Sequence, residues 1–301
     1  MRAWVLAAAI LAVLAGGASA QQQPQQAPQQ QQPQQQDPFG GRFGVWEITP
    51  SATEALQQHQ LMAAALANVA PQRRRRQDVY ILSMALWGDP VFTSEATQAE
   101  TILRQHFNTE ARSIILAASG PGQRTYPAPT PNNIAAAIGH LGSVIDPNED
   151  LVVIFLTTHG APDGAAAIRE HQRMFGALRP QHLASMLAQA GIRNRVVIVS
   201  SCFSGAFIPH LANDNTIVMT AAQHDRSSFG CQPENQWTYF GDALFNNTLR
   251  NGETLIEGFD SAKVLIERWE RERGMSPPSN PQRSVGRVAE QMVRSAERNR
   301  R

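Results

Sequence analysis

The feature that most constrains the fold is a series of short, continuously apolar segments separated by helical patterns. Continuously apolar segments are typical of strands buried on both faces, which occur in parallel sheets covered by helices. The pattern therefore predicts an α/β fold, a three-layer α/β/α sandwich with a mainly parallel sheet. The predicted strands are DVYILSMAL (78–86), RSIILAAS (112–119), DLVVIFLTTHG (150–160), RVVIVSSC (195–202) and NTIVMTAA (215–222), with helices predicted at 93–107, 132–145 and 180–190.

The first 38 residues have two compositions that do not suit a folded core. Residues 1–20 combine a positive start at Arg2, a short apolar stretch and the small residues Ala18-Ser19-Ala20, which is the pattern of a cleaved signal peptide. Residues 21–38 are almost entirely Gln and Pro, which predicts a disordered linker because such a segment has no apolar surface to bury. We therefore expect an exported protein, periplasmic or secreted. No later apolar run reaches the roughly 20 residues of a membrane helix, so no integral membrane segment is expected after signal removal.

The remaining chain is interpreted as a helical segment at 39–77, a main domain at 78–272 and a basic helical tail at 273–301. The tail carries Val285, Val288, Met292 and Val293 at helical spacing among arginines. The run Arg73–Arg76 is read as a solvated loop or a processing site. A net charge of +1 argues against a nucleic-acid binder.

Two strand ends carry residues suited to nucleophilic catalysis. In a parallel sheet the working residues follow the carboxyl ends of the strands, and here these are His159-Gly160 and Ser201-Cys202. An imidazole next to a thiol can promote thiolate formation and protonate a leaving amine. The sequence thus predicts a Cys/His dyad if the two strands are neighbours. The amides of Gly160 and Cys202 are candidates for an oxyanion hole.

Two other interpretations of Cys202 remain open from the residues alone. In the first, Cys202 is a small buried apolar residue. In the second, it forms a disulfide with Cys231, the only other cysteine. Ser204 does not lie in a G-x-S-x-G elbow, which argues against a serine hydrolase. No H-E-x-x-H motif, paired cysteine motif or phosphate-binding glycine loop is present, so neither a metal nor a cofactor is expected.

The order of three segments carries a more specific signal. An apolar strand ending in His-Gly, a later strand ending in SCFSG and the segment TAAQHDRSSFGC resemble the legumain-like cysteine peptidases, peptidase family C13, and most of all their bacterial exported members. The resemblance runs from about residue 78 to 250. It implies a caspase–hemoglobinase fold, His159 and Cys202 as the catalytic pair, and Gly160 in the oxyanion hole. It also implies that Ser227, Ser228 and Phe229 help to line the S1 pocket.

The resemblance is incomplete at the S1 pocket. Legumain itself has an Arg soon after the first strand and an acidic residue two places before the nucleophile, whereas this chain has WGDPVFTSEATQ (87–98) and Ser200. An asparaginyl preference therefore does not follow, and Asp89 and Glu95 either add polarity near the pocket or serve as a helix cap and a solvated turn residue.

The sequence favours an exported cysteine endopeptidase that acts on peptides or proteins through a thioester acyl-enzyme. A transpeptidase or transamidase uses the same intermediate, and a catalytically idle caspase-like binding module is the alternative from another class.

Overall fold

Strands and helices alternate along most of the chain. The computed structural model describes residues 44–118, 124–171 and 173–299. The strands are β1 (Gly44–Trp46), β2 (Val79–Ala85), β3 (Ser113–Ala117), β4 (Leu151–Thr157), β5 (Ala166–Glu170), β6 (Met174–Leu178), β7 (Arg195–Ser200), β8 (Thr216–Thr220) and β9 (Gln282–Val285). The helices are α1 (Ala52–Ala67), α2 (Pro90–His106), α3 (Pro131–Val144), α4 (Pro180–Gln189), α5 (Ile208–Leu211), α6 (Tyr239–Gly241), α7 (Leu255–Glu272) and α8 (Arg287–Arg298). Short 3-10 turns at Ser204–Phe207 and Leu249–Asn251 and a π-helical turn at Asp242–Thr248 complete the helical segments.

The central sheet has six strands in the order β3-β2-β4-β7-β8-β9. The first five strands are parallel to one another, and β9 pairs antiparallel with β8. The predicted strands correspond to β2, β3, β4, β7 and β8, and the predicted helices to α2, α3 and α4. The prediction of a mainly parallel sheet is confirmed.

Helices cover both faces of this sheet because its strands are apolar on both faces. Val153 and Phe155 of β4 pack on one face against α2, α7, α8 and the segment from α6 to Asn251, whereas Val152, Ile154 and Leu156 pack on the other face against α1, α3, α4 and α5. Alternate residues of a strand point to opposite faces, so a continuously apolar strand supplies two cores. The prediction of a three-layer α/β/α sandwich is confirmed.

The predicted signal peptide at 1–20 and the predicted linker at 21–38 lie outside the described residues. All described residues belong to one unit, Phe39–Arg301. None of the helices in this described part has the length and apolar character that crossing a membrane requires.

A small second sheet, in the order β1-β6-β5, has no counterpart among the predicted elements. Its strands have only three to five residues and follow short, mixed sequences, so hydrophobic periodicity does not distinguish them from loops. The sheet lies next to the carboxyl ends of β2 and β4, since Trp87 pairs with Arg169 and Gly160 pairs with Ala166.

The C-terminal segment differs most from its interpretation as a basic tail at 273–301. It contributes β9 to the central sheet, and α8 buries Ala289, Val293 and Ala296 in the core. Near its end, the Glu297 carboxylate lies 2.8 Å from His106 Nε2 and accepts the Leu255 amide at 2.7 Å. The arginines that gave the segment its basic appearance are on the outer face, because the spacing of the valines directs the apolar face to the core. Residues 273–299 are therefore part of the main domain, which does not end at 272.

Candidate active site

His159 and Cys202 follow two neighbouring strands. In the pairing of β4 with β7, Thr157 is directly opposite Ser200, and His159 and Cys202 each come two residues later in their chains. Neighbouring strands lie about 4.8 Å apart, so the two residues emerge side by side at the carboxyl edge of the sheet. The adjacency on which the predicted dyad depended is confirmed.

The His159 ring is held by two aromatic side chains and one carboxylate. Trp87 and Phe92 meet it edge to face, with ring centroids 5.0 Å and 4.9 Å away. Asp89 Oδ2 lies 3.4 Å from His159 Nε2, and each of the two side chains is about one-third exposed. Asp89 is also the N-cap residue of α2, without a side-chain capping bond. The start of α2 thus places a carboxylate at Nε2 of the imidazole, whereas Nδ1 has no hydrogen-bond partner among the described residues.

The Cys202 thiol is held by the segment predicted to line the S1 pocket. The Ser228 amide donates to Cys202 Sγ at 3.3 Å, and the Ser228 carbonyl and hydroxyl oxygens both lie 3.6 Å from the sulfur. One residue after Cys202, the Phe203 amide donates to the Arg226 carbonyl at 2.7 Å. The turn that carries the thiol is therefore hydrogen-bonded to the predicted pocket segment twice, at Cys202 and at Phe203.

The three predicted pocket residues are placed differently. Ser228 touches the thiol, as above. The Phe229 carbonyl accepts the Tyr239 amide at 3.0 Å, and the Phe229 ring lies 6.5 Å from the Tyr239 ring. Ser227 is exposed to solvent. Ser228 therefore contacts Cys202, Phe229 packs near Tyr239, and Ser227 faces solvent.

Gly160 lies against the backbone of Cys202. A Cβ atom at this position would be 1.9 Å from the Cys202 carbonyl oxygen and 3.1 Å from its nitrogen, so no larger residue fits without displacement. In the bridge to Ala166, the hydrogen bonds run from Ala161 to Ala165 and from Ala167 to His159. Within the described residues, neither the Gly160 nor the Cys202 amide has an acceptor. Both are thus available to a ligand, as an oxyanion hole requires.

The buried carboxyl group of Glu95 contacts the end of the strand that leads to His159. Glu95 is completely buried and accepts hydrogen bonds from the hydroxyls of Thr157 and Thr238, the latter at 2.7 Å. The Ser200 and Thr238 hydroxyls are 3.0 Å apart. Burial raises the pKa of Glu95 from 4.5 to about 7, and the hydroxyl hydrogen bonds oppose this rise. The sequence predicted Glu95 only as a source of polarity or a solvated turn residue, because nothing in its spacing indicates contact with Thr157 and Thr238 far along the chain.

Both cysteines are free thiols in the structure. Cys231 is half-buried, and burial, followed by the nearby charge of Cys202, raises the pKa of its thiol. A nucleophile benefits from a lowered thiol pKa, so Cys231 has the character of a packing residue.

A family model, "Peptidase C13 family", matches residues 130–291, which is more than half of the chain. The chain belongs to the peptidase C13 family, as its segments predicted. The matched region contains His159, Gly160, Cys202 and Ser228, whereas Asp89 and Glu95 precede it. A crystal structure of caspase-1 from Spodoptera frugiperda is similar at 11% identity and a TM-score of 0.47, covering 72% of this chain and 93% of that chain. Among curated protein sequences, none matches this chain.

Proposed function

We propose that this protein is an exported cysteine endopeptidase in which Cys202 is the nucleophile and His159 the general acid and base. The observation that carries the proposal is the placement of these two residues at the ends of the paired strands β4 and β7, inside the region that matches the C13 family. Two further observations support it: both residues follow strands at the carboxyl edge of the sheet, and the amides of Gly160 and Cys202 have no acceptor in the described part of the chain.

The proposed reaction has two halves. His159 takes the proton of the Cys202 thiol, and the sulfur attacks the scissile carbonyl to give a tetrahedral intermediate whose oxygen is held by the Gly160 and Cys202 amides. The C–N bond then breaks, the imidazolium protonates the leaving amine, and a thioester remains on Cys202. In the second half His159 activates a water, which attacks the thioester and releases the acid and the free thiol.

The proposal is tested by labelling the chain from Gln21 onwards with peptidyl electrophiles that vary at P1. We expect labelling at Cys202 that depends on the P1 residue, is absent in Cys202→Ala and is strongly reduced in His159→Ala. Cys231→Ser is the matched control and should label as the wild type does, because its half-buried thiol has a raised pKa and is a poor nucleophile. Hydrolysis of the matching peptide, followed by mass spectrometry, separates a peptidase from a transpeptidase, since the latter joins the acyl group to an added amine.

The opposite result is equally specific. If the reduced, folded protein is labelled by no member of the library, or if Cys202 and Cys231 are labelled at equal rates regardless of P1, the peptidase proposal is wrong. A binding module with the family fold would then be the better description.

Asp89 is proposed to orient the imidazole of His159. Asp89→Asn keeps the size of the side chain and removes its charge, so we expect kcat/KM to fall about 10-fold with little change in KM; the contact is long and partly exposed, which limits the effect. The matched control is Asp163→Asn, which also loses an exposed ion pair, with Arg179 at 3.3 Å. Equal activity of the two variants would show that Asp89 has no part in catalysis.

A further inference from the structure

Glu95 joins three segments of the site through its carboxyl group. One oxygen accepts the hydroxyl of Thr157 at the end of β4, and the other accepts the hydroxyl of Thr238 at the start of α6. Thr238 is in turn within hydrogen-bond distance of Ser200 at the end of β7. The close approach of Gly241, where a Cβ atom would be 1.7 Å from Glu95 Oε1, leaves no room for water on that side.

The two strand ends in this network are those that carry the proposed catalytic residues. Thr157 and Ser200 are register partners, and the backbone continues from each of them to His159 and Cys202 within two residues. The relative position of imidazole and thiol therefore depends on how these two strand ends are held. Side chains in the network do not reach substrate, because Glu95, Thr157, Ser200 and Thr238 are all buried.

We propose that Glu95 is a positioning residue for the dyad: its ionised carboxylate, by accepting the Thr157 and Thr238 hydroxyls together, holds the ends of β4 and β7 in the reactive arrangement. This inference rests on the proposed function. An ionised carboxylate is a pure acceptor with two oxygens, which matches two hydroxyl donors. Once protonated, it donates its own hydrogen, so one of the two hydroxyls must accept that hydrogen and direct its own O–H elsewhere.

The charge of Glu95 changes near neutral pH. Its pKa is raised to about 7, chiefly by burial. Among titratable groups, the thiol of Cys231, in the segment before Thr238, interacts with the charge of Glu95. The others at this edge of the sheet are Asp89 before α2, His159 after β4 and Cys202 after β7. Within the described part of the chain, Glu95 forms no ion pair with a basic side chain. Activity should therefore gain from the ionisation of Glu95 as the pH rises through 7.

A purely structural carboxyl group predicts something different. A folded-state pKa raised from 4.5 to about 7 means that Glu95 stabilises the fold fully below pH 4.5 and loses this contribution as the pH rises through 7. Glu95→Gln lacks this loss, so it should fold at least as well as the wild type at pH 8. If Glu95 served the fold alone, its replacement would leave the pH dependence of the reaction unchanged.

The experiment compares Glu95→Gln with the wild type, both in a Cys231→Ser background so that Cys202 is the only thiol. The alkylation rate of Cys202 by iodoacetamide and, separately, kcat and KM for a peptide found in the P1 library are measured from pH 5.5 to 8.5. We expect the variant to lose the inflection near pH 7 in both profiles. We expect its kcat at pH 8 to fall about 10-fold, with KM nearly unchanged, because the acid acts on geometry and not on substrate.

Three further variants separate positioning from a general loss of structure. Glu100→Gln removes another buried acid from the same helix, one that bonds Ser113 and Arg104 on the β3 side, and should keep the inflection. Thr157→Val removes a hydroxyl donor that lowers the pKa of Glu95, so its inflection should move to higher pH and its kcat should fall. Thr157→Ser keeps the donor and should behave as the wild type does.

The inference is overturned if the Glu95→Gln and wild-type profiles are parallel, or if Thr157→Val keeps both the inflection and the kcat of the wild type. Failure of the proposed function has a separate signature: no peptide is cleaved, yet the alkylation profile still reports whether Glu95 controls the thiol.

Discussion

Gly160→Ala should remove most of the activity while the protein remains folded. The added Cβ atom would lie 1.9 Å from the carbonyl oxygen of Cys202 and 2.8 Å from its carbonyl carbon, and real Cβ contacts are never this short. The backbone that carries Cys202 or the backbone that carries His159 must therefore move. A displacement of about 1 Å in a catalytic group can cost about 100-fold in rate, which is the loss we expect in kcat/KM.

The control for this substitution is Gly139→Ala in α3. No atom lies within 4 Å of a Cβ atom at Gly139, so the same chemical change should leave activity intact and slightly stabilise the helix, by up to about 1 kcal/mol. Activity is measured with a cleaved peptide and the folded fraction by circular dichroism. Wild-type activity in a folded Gly160→Ala variant would mean that the backbone contact between Gly160 and Cys202 is not needed for catalysis.

The second large effect is expected from loss of the C-terminal segment. Removal of residues 281–301 deletes β9 and α8, which exposes one edge of β8 and the core around Val293. The buried hydrogen bond between His106 and Glu297 is lost as well. Domains of this kind are stable by only about 5–15 kcal/mol, so we expect the shortened chain to be unfolded or aggregated.

A pair of single substitutions measures the contribution of α8 to the free energy of unfolding without deleting backbone. Val293→Ala removes two buried methyl groups and should lower the free energy of unfolding by about 2 kcal/mol, whereas Val264→Ala, at a position that is 66% exposed, should change it by less than about 0.5 kcal/mol. Denaturant unfolding gives both values. If the two variants are equally stable, α8 is a peripheral helix, and the interpretation of 273–301 as a separate tail is restored.

Much of the fold follows from the apolar strands, since each was long enough and apolar enough to be distinguished from its surroundings. The segments that hydrophobic periodicity missed are those where it is weakest. β9 has four residues, none of them fully buried, and its pairing with β8 depends on the position of α8. The three strands of the small sheet are equally short, and two of them form a hairpin immediately after the predicted catalytic His159.

Prediction of the site was limited by strand order and by contacts between residues that are distant in the chain. The dyad could be predicted because strand ends in a parallel sheet converge on one edge, and Ser228 because it belongs to a recognisable segment. Strand order could not be read from the sequence, so the adjacency of β4 and β7 stayed conditional until the structure showed it. Asp89 and Glu95 approach His159 and Thr157 across about 60–70 positions of chain, through packing of α2 on the sheet, and no local pattern encodes that contact.

Helix α8 makes its polar contacts near the amino ends of the strands, at the edge of the sheet opposite the dyad. Its first turn donates to the carbonyl of Asp214, just before β8, the carbonyl of Met292 accepts from Gln77 just before β2, and Glu297 reaches the last turn of α2. All three contacts lie at the amino ends of the strands, which span about 20 Å before they reach His159 and Cys202. A label or a solid support coupled to the outer face of α8 would therefore lie at the edge of the sheet opposite the thiol. An immobilised form of the protein would still present its reactive edge to solution.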